Sequence, residues 1–321
     1  MDFERSADQD ALVEAISSFC AGRMPVSTVR ELAGVGGVRR SLWKELAEMG
    51  VFSLAVPEAD GGVGLGWSDA TLVAEVLGRH LIPGPVVDTM NAAGLVDGAL
   101  SGEAVVTMIE RPSAGVAIIE YLDASDVVVV FDEVGVWSVP AGDCVGTPMR
   151  FPLDPLTPVS SVATLAQGVQ LGDAELARVL RRRGVVLTSA LQLGLAAGAT
   201  DLAVEYAKDR HQFGKPIGQF QAVKHLCADM TTKVELARAG VYNAGVCLDH
   251  PEVDDPDEAA AVAAIVAADA GDFCGKNGIQ VHGGMGYTWE VDAHLYLKRS
   301  WVLDHAYGSA DEHAEFLASR L

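Results

Sequence analysis

Two short segments in the last third of the chain combine groups that could hold a dinucleotide. Residues 210–215 read Arg-His-Gln-Phe-Gly-Lys, and residues 280–288 read Gln-Val-His-Gly-Gly-Met-Gly-Tyr-Thr. A pyrophosphate needs a cation and backbone N–H donors at close range, which Arg210 and the pair Gly283-Gly284 can supply. Phe213 offers an apolar face for an adenosine. Two nearby amide side chains can donate hydrogen bonds, those of Gln221 and Gln280.

Each of these features also has a structural explanation that involves no ligand. An arginine before a Phe-Gly turn is commonly a solvated charge beside a core aromatic residue. Two consecutive glycines commonly form only a turn. The chemistry of the residues alone leaves both explanations open.

The composition limits the classes of partner. The chain has 321 residues with no region of low complexity, which predicts one to three globular domains. It contains 23 basic and 44 acidic residues, which gives a net charge of -21. Such a surface repels nucleic acid and anionic membranes, so we expect neither as a partner.

Neither a metal site nor a membrane anchor is expected. The five cysteines show no metal-ligand spacing and no CxxC pair, which is typical of reduced thiols in a cytoplasmic protein. Asp2, Glu4 and Asp8 stand where a signal peptide would need basic residues. The most apolar stretch, residues 184–199, contains polar residues and is better explained as a buried helix than as a membrane span.

The elements that must position the two segments fall into three blocks. Residues 1–102 show helical periodicity, and we interpret them as an N-terminal α-helical domain. Residues 103–168 contain two β-branched runs around Asp132-Glu133, which predicts a hairpin in a small, mostly antiparallel β domain. Residues 169–321 are helical again, and the acidic stretch 251–257 suits a turn and the start of a helix.

The C-terminal segments resemble the signatures of a known family. Residues 206–221 resemble the RxxFGKxIxxFQ motif of acyl-CoA dehydrogenases, and residues 280–288 resemble the QxxGGxGY segment of the same family. Residues 43–64 and 75–85 match its N-terminal helical domain. The resemblance covers nearly the whole chain and is weak only in the β block. It implies an α+β, mainly α fold with an N-terminal helical domain, a reduced middle β domain and a C-terminal four-helix bundle.

The resemblance also implies FAD as the cofactor and an acyl-CoA thioester as the substrate. In that family FAD crosses a subunit boundary, and the RxxFG and QxxGG segments reach the ADP half of a neighbour's flavin. The residues that this carries over to the present chain are Arg210, Gln212, Phe213, Gln221, Gln280, Gly283 and Gly284. An electron-transfer flavoprotein is the expected electron acceptor, by analogy with the family.

The chain departs from the family pattern where the chemistry takes place. Dehydrogenation requires a carboxylate base against the α-carbon of the thioester. Most members place this glutamate after a tyrosine near the C-terminus, but here Tyr307 is followed by Gly308. Other members place it near the position of Gly184, which here follows three arginines. We therefore assign no catalytic residue to this chain.

The flavin-ring segments are altered as well. Residues 108–115 stand where the family has TEPxxGSD, and the WIT segment has no counterpart. The ring half and the base are thus missing together, while the ADP-facing half is retained. This pattern resembles the short subunit of the heteromeric (α2β2) acyl-CoA dehydrogenases of actinobacterial steroid side-chain degradation, and residues 288–299 resemble that subgroup in particular. The expected partner is a longer acyl-CoA dehydrogenase homologue that supplies the base and the ring pocket.

Two alternatives stay open on the sequence. The chain could be a self-sufficient homotetrameric dehydrogenase with a relocated base, for which Asp304 and Glu290 are the candidates. It could also be a purely structural partner that binds neither flavin nor substrate.

Overall fold

The computed structural model describes residues 5–33 and 36–321, so that Asp2 and Glu4 lie outside the described residues. The chain forms two compact units, neither of them continuous in sequence. We call them the bundle unit and the mixed unit. The bundle unit comprises Met1–Gly22, Thr71–Ile82 and Val185–Leu321, and the mixed unit comprises Arg23–Ala70 and Pro83–Gly184.

Within the described residues the chain contains ten α-helices and nine β-strands. The helices are α1 (Ala7–Arg23), α2 (Val26–Ala33), α3 (Arg40–Glu48), α4 (Trp67–Arg79), α5 (Val86–Ala92), α6 (Ala174–Asp209), α7 (Gln221–Asp249), α8 (Pro256–His282), α9 (Ala293–Leu303) and α10 (Ala310–Ala318). The strands are β1 (Val106–Glu110), β2 (Ala117–Glu120), β3 (Val127–Phe131), β4 (Gly135–Pro140), β5 (Gly146–Pro148), β6 (Val159–Val162), β7 (Val169–Asp173), β8 (His211–Gln212) and β9 (Lys215–Pro216). The fold is therefore α+β and mainly α, as the sequence predicts.

The mixed unit contains the predicted hairpin. Strands β3 and β4 pair antiparallel, with Phe131 opposite Val136. The turn is fixed by Asp132, whose Oδ1 accepts hydrogen bonds from the backbone N–H groups of Val134 and Gly135. The larger sheet has the order β1-β3-β4-β7 and the smaller one β2-β6-β5, and only the β1–β3 pair is parallel.

One strand lies beyond the β block that the sequence marks. Strand β7, Val169–Asp173, begins after residue 168 and pairs with the edge of β4. Its residues are exposed or only partly buried, so the strand contributes little to the core and is defined by its pairing with β4. The domain boundaries at residues 102 and 168 stay predictions.

Helix α6 includes the buried helix that the sequence predicts at residues 184–199 and extends beyond it at both ends. It runs without a break from Ala174 to Asp209, and it is long and apolar enough to cross a membrane by length and composition. However, 89% of its apolar window is buried, as the sequence predicts for a core helix. Gly194 lets α4 approach closely, because a Cβ there would lie 2.0 Å from the carbonyl oxygen of Glu75.

The remaining bundle helices begin and pack as their sequences indicate. Asp255 caps α8, since its side chain accepts hydrogen bonds from the backbone N–H groups of Asp257 and Glu258, and Pro256 occupies the first turn. The acidic turn predicted before this helix is thereby confirmed. Helix α7 packs along α8, and the shorter helices α9 and α10 also contact α8.

Candidate functional site

A stacked pair of rings holds together the two helix ends from which the dinucleotide-binding segments extend. Tyr206 lies one turn before Arg210 on α6, and His282 is the last residue of α8, directly before Gly283. Their ring centroids are 4.2 Å apart at an interplanar angle of 27°. His282 is buried and donates from Nδ1 to the carbonyl oxygen of Gly278 at 2.7 Å. The stack brings the two predicted segments to the same end of the bundle unit.

The first segment is a tight hairpin that starts where α6 ends. The backbone N–H of Arg210 donates to the carbonyl oxygen of Tyr206. The carbonyl oxygen of Arg210 accepts from the backbone N–H of Ile217 at 2.7 Å. Strands β8 and β9 are joined by Phe213 and Gly214, with φ values of 55° and 79°. Two positive φ values in a two-residue turn are the signature of a type I′ hairpin.

Phe213 occupies the tip of this hairpin in an unfavourable conformation. A bulky residue with positive φ is a conformational outlier, and such residues gather at ligand-binding positions. The residue is 91% exposed, and its ring meets that of Phe220 in an edge-on arrangement, with ring centroids 6.1 Å apart. Lys215 places its Nζ over the Phe220 ring at 4.4 Å, which stiffens the base of the hairpin. The tip therefore projects a large apolar ring away from its own chain.

The second segment begins with an open glycine pair. Gly283 has φ 60° and ψ -139°, a conformation that side chains rarely adopt, and a Cβ on either Gly283 or Gly284 would meet no heavy atom within 4 Å. The N–H of Gly283 already donates to the carbonyl oxygen of Gln280 and closes α8. What Gly283 offers a ligand is thus an uncovered backbone, whereas its N–H is engaged within the chain.

All seven predicted cofactor residues lie on the surface. Arg210, Gln212, Phe213, Gln221, Gln280, Gly283 and Gly284 are each exposed. Gln221 is the first residue of α7, and the Gln212 side chain donates to the carbonyl oxygen of His211 at 2.8 Å. A cation, an aromatic face, amides and bare backbone suit the ADP half of a dinucleotide. An arrangement that leaves all of them exposed binds such a ligand firmly only when a second surface covers it.

One family position for the base, Gly308, lines a cleft of the bundle unit. Its lining includes Val185, the residue after Gly184, together with Tyr307 and Gly308. Gly308 has φ 102°, which would strain a glutamate at that position. The only carboxylate among the lining residues is that of Asp304, at the C-terminal cap of α9.

The other candidate base lies elsewhere. Glu290 is exposed and does not line this cleft. His282 is engaged in its hydrogen bond to the carbonyl oxygen of Gly278. Within residues 5–33 and 36–321 no group of three or more His, Cys, Asp or Glu side chains could hold a metal ion.

Sequence reasoning overlooked the partner of His282. In the sequence, Tyr206 stands out only as the first residue of the motif, although its ring positions both segments. No spacing rule links residues on two different helices, so only the fold reveals this contact.

Comparisons with known proteins identify the family models that the chain matches. Residues 6–98 match the N-terminal domain of acyl-CoA dehydrogenase, and residues 182–321 match the C-terminal domain. Acyl-CoA dehydrogenase IpdE2 of Mycobacterium tuberculosis is 33% identical over 319 residues, which cover 94% of this chain and 92% of IpdE2.

Two solved structures share the fold. The ChsE4–ChsE5 complex from Mycobacterium tuberculosis superposes with a TM-score of 0.84 at 22% identity, over 99% of this chain and 98% of that one. The Tcur3481–Tcur3483 steroid ACAD (acyl-CoA dehydrogenase) superposes with a TM-score of 0.83 at 22% identity, over 97% of each chain.

Proposed function

Since this chain belongs to the acyl-CoA dehydrogenase family of FAD-dependent oxidoreductases, we propose that it is the subunit of a heteromeric enzyme that holds the ADP half of its partner's FAD. The partner is a longer acyl-CoA dehydrogenase homologue, and the assembly contains two copies of each. The reaction is α,β-dehydrogenation of an acyl-CoA thioester.

The observation that carries the proposal is an asymmetry within the bundle unit. Every residue that would reach the ADP half is present and exposed at one end. Glycine stands at both family positions for the base, Gly184 and Gly308. Because an enolisable thioester needs a carboxylate at its α-carbon, the base has to come from elsewhere. A division of labour between two unlike subunits accounts for both facts.

The residues of this chain would bind and orient the cofactor. Arg210 neutralises pyrophosphate charge, and the uncovered backbone at Gly283 and Gly284 lets the phosphates approach closely. Phe213 packs on the adenosine, while the three glutamine side chains offer amide hydrogen bonds. FAD supplies the hydride acceptor when bound, and the isoalloxazine pocket and the base belong to the partner.

We infer the substrate and the electron acceptor from the similarity of this chain to other proteins. A sterol-derived acyl group is supported by the resemblance of residues 288–299 to the steroid-degrading subgroup and by the fold that the chain shares with a steroid ACAD. The ChsE4–ChsE5 structure is a complex of two different proteins, which supports assembly of unlike chains. An electron-transfer flavoprotein as acceptor, and a cytoplasmic location, complete the proposal.

Co-expression with the longer homologue tests it. We expect a yellow complex with about one FAD per unlike pair, and a colourless or insoluble product when this chain is made alone. Arg210→Ala should leave the pair assembled and strip its FAD. A yellow, active homo-oligomer of this chain would overturn the proposal.

A matched control lies at the far end of α8. Arg320 is half exposed, and its Nη2 lies 3.6 Å from Asp255, the residue that caps the start of that helix. The helix has 27 residues, so about 40 Å of helix separates this end from Gly283. Arg320→Ala should therefore leave the FAD content unchanged.

Measurements on the chain alone and on the complex distinguish this proposal from its two alternatives, a self-sufficient enzyme and a purely structural partner. A self-sufficient enzyme would be active alone and would lose that activity through Asp304→Asn or Glu290→Gln. A purely structural partner would keep the complex fully yellow after Arg210→Ala.

A further inference from the structure

A cavity of the mixed unit lies beside the first turns of helix α6. It encloses about 490 Å³, which is within the range of about 300–1,000 Å³ that is typical of small-molecule sites. Its lining comes from the turn between residues 55 and 60, from the segment between residues 93 and 100, from Trp67 at the start of α4 and from Arg183 on α6. All of these residues belong to the mixed unit. We call this space the Arg183 cavity.

The Arg183 cavity is distinct from the cleft that contains Gly308. Among the residues that the structure describes, none lines both spaces. Val185 lines the cleft and Arg183 lines the cavity, and side chains two residues apart on a helix point in nearly opposite directions. The seven residues assigned to the ADP half of FAD also lie outside the cavity lining. A ligand in this cavity therefore needs neither the position of the base nor the flavin-binding segments.

Backbone hydrogen bonds hold the walls of the cavity in place. The N–H of Gly64 donates to the carbonyl oxygen of Val56 at 2.9 Å, which fixes one wall. The N–H of Ala104 donates to the carbonyl oxygen of Gly98, also at 2.9 Å, and fixes another. A Cβ on Gly94 would lie 3.7 Å from a methyl group of Val56, so the two walls approach each other closely there. A cavity that exists before its ligand arrives needs little rearrangement on binding.

Part of the lining suits an apolar ligand body. The aliphatic side chains that contribute to it are those of Val56, Pro57, Leu95, Val96 and Leu100. Apolar ligand surface that leaves water against such side chains favours binding in proportion to its area. The cavity can therefore hold a hydrocarbon chain or ring.

Arg183 is a cation of this lining with a constrained orientation. Its Cζ lies 4.2 Å from the centroid of the Trp67 ring, and both residues are half-buried. Stacking of this kind uses the flat face of the guanidinium group, whereas its five N–H donors point outward along the edge. A carboxylate can accept two such N–H groups side by side, and this charged pair is stronger than a hydrogen bond between neutral groups. The cavity thus combines an apolar wall with a positioned group that recognises carboxylates.

Two aspartates limit the charge that a ligand can carry. Asp60 and Asp97 are exposed members of the lining. Repulsion from a carboxylate increases with the charge of the ligand, so a phosphate dianion or a CoA ester is disfavoured more strongly than a single carboxylate. The net charge of -21 acts in the same direction.

We propose that the Arg183 cavity binds a free monocarboxylic acid with an apolar body, whose carboxylate pairs with Arg183. The apolar body packs on Leu95, Val96 and Leu100. The site goes beyond the proposed function and does not depend on it, because binding of the acid involves neither the flavin nor a second subunit. The ligand also differs chemically from the acyl-CoA thioester of the reaction, since it carries a free carboxylate and no phosphate.

Titration calorimetry with octanoate tests the site. The full chain is titrated in whatever assembly it purifies in, and we expect one octanoate per copy. Octan-1-ol keeps the apolar body and lacks the charge, so it should bind at least about tenfold more weakly. Octyl phosphate, which carries more negative charge than octanoate, should also bind more weakly.

Three variants assign the binding to the cavity. Arg183→Gln should weaken octanoate at least about tenfold and leave octan-1-ol unchanged. Leu100→Trp fills the cavity, leaves the arginine in place and should abolish octanoate binding, which keeps the test decisive if Arg183→Gln misfolds. Arg178→Gln is the matched control, because Arg178 lies on the same helix, is 59% exposed and pairs with Glu175. This control should bind octanoate as the wild type does, and circular dichroism checks that each variant is folded.

The contrary outcomes are equally specific. Octanoate that fails to bind the wild type, or binds Leu100→Trp with wild-type affinity, overturns the site. Equal affinities for octanoate and octan-1-ol, or tighter binding of octyl phosphate, overturn the assignment of a monocarboxylate. A chain that binds octanoate but fails to assemble with the longer homologue overturns the proposed function alone.

Discussion

Tyr242 donates a hydrogen bond of 2.6 Å to Glu75, and the two residues join α7 to α4 inside the bundle unit. Arg238, one turn before Tyr242, donates to the other Glu75 oxygen at 2.8 Å. The Glu75 side chain is 10% exposed. Burial and then the neighbouring Glu75 charge raise the pKa of Tyr242, so this phenol keeps the proton that it donates. The three side chains form a hydrogen-bonded network around the buried Glu75 carboxylate, which makes that carboxylate costly to remove.

Glu75→Gln should destabilise the fold. The change removes the charge of a buried carboxylate, whereas its partner Arg238 is 24% exposed and still pairs with Glu235, so we expect a cost of about 1–3 kcal/mol. The measurement is urea unfolding followed by circular dichroism. Glu235→Gln is the matched control, because Glu235 also pairs with Arg238 but is 62% exposed. An exposed pair is worth about 1 kcal/mol or less, so equal midpoints for the two variants would contradict this account.

Tyr206→Ala should loosen the flavin site without touching the flavin. The variant removes the ring that stacks on His282 and holds the two segments at one end. An aromatic pair contributes about 0.5–1.5 kcal/mol, so FAD should dissociate from the assembled complex roughly two- to tenfold more readily. Fluorescence of released flavin on dilution measures this. Tyr206→Phe keeps the stack and should behave as wild type; equal loss in both variants would mean that the stack is irrelevant.

Gly194→Ala should be poorly tolerated. The added Cβ would lie 2.0 Å from the carbonyl oxygen of Glu75, and backbone cannot move aside as a flexible side chain can. Overpacking of this kind costs typically 1–3 kcal/mol, about that much or more here. Thermal unfolding compares it with Gly22→Ala on α1, where a Cβ meets no atom within 4 Å and helix propensity predicts a gain of up to about 1 kcal/mol. Similar melting temperatures for the two variants would refute the close approach.

His80 should make stability fall as the solution is acidified. Desolvation, followed by the charge of Arg79, lowers the pKa of His80 below its ordinary value, and its Nε2 lies 3.1 Å from Ser17 Oγ. The unfolded chain therefore binds a proton at a higher pH than the folded chain does. Stability contributed by the neutral ring is present above the unfolded pKa, about 6.5, and declines as pH falls below it.

Melting temperatures between pH 7.5 and pH 5.5 measure this effect. We expect His80→Gln to flatten the acid-side decline. His250→Gln, at an exposed histidine 3.2 Å from Glu252, should leave the decline as it is in the wild type. A decline that His80→Gln leaves unchanged would assign it to other groups.

Local patterns in the sequence identify much of this fold. The β-branched run at residues 127–131 with Asp132 behind it predicts the hairpin, because both signals act within a few residues. The acidic turn ending at Asp255 likewise predicts the start of α8. The full length of α6 is not predicted by the sequence, since the buried part of a helix has no polar face from which its period can be followed. Strand β7 was missed because its pairing, rather than its own pattern, makes it a strand.

The site was predicted as a set of residues but not as an arrangement. The motifs name Arg210 and Gly283, yet nothing in their spacing says that Tyr206 and His282 hold them at one end. Nor does the sequence show that Val185 and Gly308 line the same cleft. Such relationships arise from packing between helices far apart in the chain. The engagement of the Gly283 N–H in closing α8 is a further detail that only the structure supplies.

Helix α6 also constrains how this chain can be divided. Its first turns belong to the mixed unit and the rest, from Val185, to the bundle unit, which additionally takes in Thr71–Ile82 from the N-terminal half. No single cut in the gene therefore yields either unit as an uninterrupted polypeptide. A truncation at residue 102 or 168 would remove helix α4 from the core that it completes. A fusion that carries only the flavin-binding half to another protein would do the same. Both units therefore have to be kept together when the chain is expressed or engineered.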